Sequence, residues 1–74
     1  MEIFPRIMVD PEIQGGVPVI KGTRVPVKTV LEYLAKGLSV EDVIAEFDLT
    51  KEDVYAALAF AAARIGEERY LIAA

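Results

Sequence analysis

The 74-residue chain has no cysteine, no histidine, no tryptophan and no asparagine. Without cysteine there is no disulfide to staple a small domain and no thiolate metal site. Without histidine the commonest zinc ligand and the commonest general base are both missing. Serine and glutamine occur once each, as Ser39 and Gln14. Long apolar runs are lacking too: nothing approaches the roughly 18 uninterrupted residues that mark a membrane span. The opening MEIFPRIMVDPE lacks the basic segment followed by an apolar one that marks a signal peptide. A cytoplasmic protein without membrane contact is expected.

What the chain does have is grease. Hydrophobic residues make up 54% of it, whereas so short a domain buries only about 60% of its unfolded surface. Self-association, as a homodimer or higher homo-oligomer, is the physical way out. The net charge of −4 also hides an asymmetry. Residues 1–37 carry five cations against four acids, and residues 38–74 carry three against eight. A phosphate backbone would prefer the first half and a basic protein the second.

Asp10-Pro11 and Gly15-Gly16 are turn signals on either side of short apolar runs. Val17–Ile20 and Val25–Val27 are strand-like, and the glycine-containing Lys21-Gly22-Thr23 between them reads as a hairpin connector. Pro18 and Pro26 belong at strand ends or on a free edge, since neither donates to a ladder. Helical spacing follows. Val27, Val30, Leu31 and Leu34 form one stripe closed by Gly37, and Val40, Val43, Ile44 and Phe47 form a second behind a Ser39–Asp42 cap. A third helix starts behind a Thr50–Asp53 cap, with an expected inner stripe of Val54, Ala57, Leu58, Ala61 and Ile65. The expected architecture is mostly α with a small β element. It is a single domain over 1–74: a β segment with a hairpin over 1–27, then a three-helix, helix-turn-helix-like bundle and tail.

The third helix is apolar all round. Val54 to Ala63 reads VYAALAFAAA, with Tyr55 as the sole polar handle. An outer stripe of Ala56, Ala59, Phe60 and Ala63 therefore needs cover, from its own chain or, preferably in so small a domain, from another. The tail Leu71-Ile72-Ala73-Ala74 is equally apolar; it docks on a partner or folds back on its own domain.

Tests for chemistry fail one after another. A phosphate loop requires Gly-x4-Gly-Lys, but here Lys21 precedes Gly22 and Pro18 removes an amide. The lone serine is committed as a cap, which leaves no activated nucleophile. The paired acids Glu41-Asp42, Glu52-Asp53 and Glu67-Glu68 are adjacent on helices, pointing about 100° apart, and do not converge on a substrate. No catalytic, cofactor-binding or metal-ligating residue is expected, and the chain reads as a non-enzyme. Residues 39–63 have a helix-turn-helix outline, but the second helix offers alanines where base readers need Arg, Lys, Asn or Gln. Any DNA contact falls to Lys21, Arg24 and Lys28, with Arg6 as a neighbour. The alternative is that Arg24 pairs with Asp10 or Glu12 and merely pins the turn.

The order of landmarks carries a resemblance. Asp10-Pro-x-Ile-x-Gly-Gly-x-Pro-Val-Ile-Lys-Gly-Thr-Arg-Val-Pro-Val27 is followed by Val30-Leu31, Leu34 with Gly37, Ser39 with Glu41 and Val43, Leu49-Thr50, Asp53-Val54 and Ala57-Leu58. From Asp10 to about Ala61 this closely resembles the domain-of-unknown-function family 433. The resemblance implies a homeodomain-like three-helix unit after a short β segment. It also implies an antitoxin of a type II toxin–antitoxin pair, with a PIN-like nuclease toxin as partner and operator DNA as a further one. The alanine-rich end departs from the more charged final helix of such relatives. Joined with the residues, the resemblance makes Glu67, Glu68, Tyr70, Leu71 and Ile72 the expected nuclease contact, next to Tyr55, Ala56, Ala59, Phe60 and Ala63 as partner-facing residues of the third helix. Two rival readings are a free-standing DNA-binding regulator and a purely structural oligomerisation module.

Overall fold

The structure, a computed structural model, describes residues 1–72; Ala73 and Ala74 of the apolar tail lie outside the described residues. Three short strands, β1 (Glu2–Phe4), β2 (Ile7–Met8) and β3 (Val19–Ile20), form an antiparallel sheet in that order. Three helices follow: α1 (Val27–Ala35), α2 (Val40–Phe47) and α3 (Lys51–Gly66). The architecture is mostly helical with a small N-terminal sheet, as expected.

The helix boundaries follow from local chemistry. Pro26 presets the backbone at the N-cap of α1, and its carbonyl accepts from the amides of Thr29 and Val30 at 3.1 and 3.3 Å. At the far end Gly37, with φ +96°, turns the chain left-handed. There Leu38 N–H reaches the Tyr33 carbonyl and Gly37 N–H reaches Leu34, the crossed pair of bonds that closes a helix on glycine. Reciprocal caps open the other two helices. Ser39 and Asp42 exchange side-chain and backbone bonds at 3.0 Å each, and Thr50 and Asp53 do the same at 3.1 and 3.0 Å. Asp48, itself left-handed at φ 55°, ends α2 so sharply that Leu49 drops into the core between the helices.

The core joins sheet and helices. Ile7 and Ile20 from the strands meet Val27 and Val30 of α1, Val43 of α2, and Val54, Ala57 and Phe60 of α3. Edge-to-face aromatic pairs close two of its sides: Phe4–Phe60 at 5.5 Å between centroids and Tyr33–Phe47 at 4.9 Å.

Two expectations are corrected. The Lys21-Gly22-Thr23 turn is present, but its second arm is a single bridge, Val19 to Pro26, before α1 begins at Val27. Proline lacks the N–H that would extend the ladder and its fixed φ suits a helix start, so β3 pairs with β2 instead. The phase of α3 also differs. Phe60, assigned to the outer stripe, is 8% exposed and buried, while Leu58 and Ile65, assigned to the inner stripe, are 41% and 65% exposed. At about 100° per residue this is a rotation of roughly 60° about the helix axis. Its cause lies in the sheet: Phe4 supplies the ring that Phe60 packs on, and Arg6 in the β1–β2 turn grips the first turn of α3 through Asp53 at 3.0 Å.

Candidate functional site

The residues that mark the sequence most strongly are spent first on construction. Thr23 N–H donates to the Ile20 carbonyl at 3.0 Å, and Gly22 takes φ +80° inside that turn. The Thr23 hydroxyl donates back to the Ile20 carbonyl at 2.7 Å and accepts from the Val25 amide at 3.0 Å. Val27 N–H donates to the Pro18 carbonyl at 3.0 Å, and the Gln14 side-chain amide donates to the Arg24 carbonyl at 3.3 Å. Gly-Gly-x-Pro and Gly-Thr-Arg-x-Pro-Val, separate in sequence, are thus stitched side by side.

That stitching makes one wall of a groove. Val17, Pro18 and Pro26 stand on this side, Leu31 of α1 forms the floor, and Ala61 and Ile65 of α3 face them across a space of about 540 Å³. Phe60 reaches its inner end with its ring shared between groove and core. Polar groups sit at the rim: Gln14, Lys28, Glu32 and Arg64. The Arg64 guanidinium lies 5.0 Å from the centroid of the Phe60 ring and pairs with Glu67 at 3.5 Å. The sequence pattern gave no warning of this groove, because its walls come from three stretches far apart in the chain. The one available signal was the pair of proline-bearing motifs.

The expected cations part company. Lys21 is tied to Glu2 at 2.9 Å; this hydrogen bond, with a second from the Arg6 amide, holds the Glu2 carboxyl below its ordinary range. Arg6 is paired with Asp53 at 3.0 Å. Burial by itself would raise the Asp53 carboxyl, but the Thr50 amide and the Arg6 guanidinium outweigh it and the carboxyl falls below its ordinary value. Arg24 and Lys28 are exposed, and among the described residues neither forms an ion pair, so the alternative contact of Arg24 with Asp10 or Glu12 is not made.

The expected partner-facing residues divide in the same way. Tyr55, Ala59 and Ala63 are exposed on α3, Ala56 is half-buried and Phe60 is in the core. Leu58 and Ala62 are exposed instead. Beyond Gly66 the tail stands clear of the fold, with Glu67 and Glu68 exposed and Tyr70, Leu71 and Ile72 at 80%, 103% and 89% exposure. The Tyr70 hydroxyl donates to the Glu68 carboxylate, which raises the phenol above its usual range. Among the described residues no helix is long and apolar enough to cross a membrane.

Comparison with known proteins agrees with this architecture. Residues 7–61 match the family described as "Protein of unknown function (DUF433)". A solved structure titled as a DUF433 member protein from Anabaena variabilis superposes with a TM-score of 0.76 at 30% identity. The match covers 84% of this chain and 62% of that one, so this chain spans less than two thirds of its relative's length. No curated protein matches. The chain belongs to the DUF433 family.

Proposed function

We propose that this member of the DUF433 family is a non-catalytic binding protein, the antitoxin of a type II toxin–antitoxin pair, which works as a homodimer or higher oligomer and neutralises a PIN-like nuclease. The observation that carries the reading is the exposed end of the chain. An acidic pair, Glu67 and Glu68, is followed by Arg69 and then by Tyr70, Leu71 and Ile72, and these side chains find no cover on their own fold. Such a segment suits a basic, metal-dependent nuclease whose surface carries the positive charge around its metal-binding carboxylates. Its acids complement the basic surround, its apolar residues exclude water, and the Arg69 cation suits the place of a metal among the nuclease's carboxylates. The antitoxin role itself comes from the family resemblance.

The test is co-expression with a PIN-like nuclease encoded beside the chain. The expected result is growth restored and the two proteins recovered together, with Leu71→Glu/Ile72→Glu abolishing both. Failure of the two proteins to co-purify, together with undiminished toxicity, would contradict the reading.

One observation favours a second reading, contact with operator DNA. Arg24 and Lys28 are exposed and unpaired among the described residues, on the turn into α1 and on its first turn. That contact predicts binding that weakens steeply with salt and is lost in Arg24→Glu. Salt-insensitive binding, or binding unchanged by that substitution, would remove it.

A further inference from the structure

The molecule carries two unsatisfied apolar features that match one another. One is the groove between the Val17-Pro18 strand approach, α1 and the end of α3, with Val17 44% and Ile65 65% exposed. The other is the tail, whose Tyr70, Leu71 and Ile72 are almost wholly exposed. We propose that the groove seats the tail of a second copy, with the exchange made reciprocally between two chains.

Charge supports this occupant. Lys28 and Glu32 lie one turn apart on α1 at the rim of the groove, and among the described residues neither forms an ion pair. The tail brings Glu68 and Arg69, also without ion pairs among the described residues. Lys28 and Glu32 therefore each meet an opposite charge on the incoming segment, ahead of three apolar side chains bound for the apolar floor. A segment of uniform charge would gain from only one of the two.

The tail does not fill the groove of its own chain. Arg64 and Ile65 line the groove next to the exit of α3, and Arg64 holds Glu67 alongside the last helical turn. To enter its own groove the chain would have to reverse within a residue or two of Gly66, and the exposure of residues 70–72 shows that it does not. Extended, residues 67–72 span roughly 20 Å, enough to cross to a neighbour. Two identical exchanges close a two-fold dimer in which both apolar features are covered. The inference stands independently of the nuclease reading: it concerns the free protein, and a nuclease would compete for the same tail.

Sedimentation velocity across a micromolar dilution series tests it, using the full chain and three variants. Leu71→Glu/Ile72→Glu removes the tail's anchors, and Val17→Glu places a charge in the groove. Leu58→Glu charges the outer face of α3, which the exchange does not use. All four positions are exposed, so thermal melts should confirm intact folds. The expected result is a native dimer weakened about 30-fold or more by the tail and groove variants and unchanged by Leu58→Glu. Mixing the tail variant with the groove variant should restore association beyond either alone, because the groove variant's tail meets the tail variant's groove. A strictly monomeric native chain, tail and groove variants that dimerise normally, or mixing without recovery would each overturn the proposal. Because the tail variant leaves the core untouched, the test holds even if Val17→Glu folds poorly.

Discussion

The two ends of α3 are both rich in alanine and do opposite things. From Asp53 to Phe60 the helix is held on three sides: by its own cap at Thr50, by the Arg6 guanidinium, and by the edge-to-face contact of Phe60 with Phe4. From Ala62 to Gly66 every residue is exposed, and only Ala61 is half-buried. Alanine content does not separate these halves, since residues 53–60 and 61–66 each have three. What separates them is the sheet, which reaches the first half and not the second. An alanine-rich helix thus serves as a core element where partners from elsewhere in the chain meet it, and as open surface where they do not.

The sharpest way to break this contrast is at Phe60. Phe60→Ala should cost about 3–5 kcal/mol, through lost burial and the cavity left against Phe4. That is a large share of the stability of so small a domain, and chemical denaturation would measure it. A loss below about 1 kcal/mol would mean that the first half of α3 is not the anchor described. Next comes Asp53→Ala, expected to cost about 1–3 kcal/mol because it removes a cap and leaves Arg6 without its carboxylate. The same group sets an acid limb. Its folded carboxyl lies below its ordinary value, so its contribution is complete at neutral pH and is lost as pH falls through the depressed pKa. Asp53→Asn should flatten that part of the stability–pH curve.

Substitutions in the exposed half should scarcely register in the same measurement. Ala62→Glu and Ala63→Glu, exposed and outside the groove, are expected to change unfolding by no more than about 0.5 kcal/mol. The smallest effect is reserved for Lys21→Ala. Its bond to Glu2 joins two exposed side chains, and such pairs add little, so the melting temperature should not move. A clear drop would show that the sheet edge depends on that pair.

These contrasts also show what was legible in the sequence. The three helices and both reciprocal caps were readable, because Ser39 with Asp42 and Thr50 with Asp53 are local signals three residues apart. The stripes of α1 and α2 were readable because polar residues mark their outer faces. The phase of α3 was not: VYAALAFAAA offers an apolar residue in every direction, so periodicity cannot choose a face. The choice is made by Arg6, 47 residues from Asp53 in the chain, and by Phe4, in a three-residue strand too short to announce itself. The groove was hidden for the same reason. Its floor residue Leu31 has the spacing of an ordinary helix stripe and Ile65 that of an inner face, and only tertiary pairing of Pro18 with Val27 and of Val19 with Pro26 brings their opposing wall into place.

Amide hydrogen exchange along α3 and the tail, followed from dilute to concentrated protein, tests the central claim most directly. Slow exchange from Val54 to Phe60 is expected at every concentration. Protection of residues 67–72 is expected to appear only as chains come together. Equal protection of both stretches in a dilute monomer would contradict it, because the tail would then be held by its own fold and not by contact with another molecule.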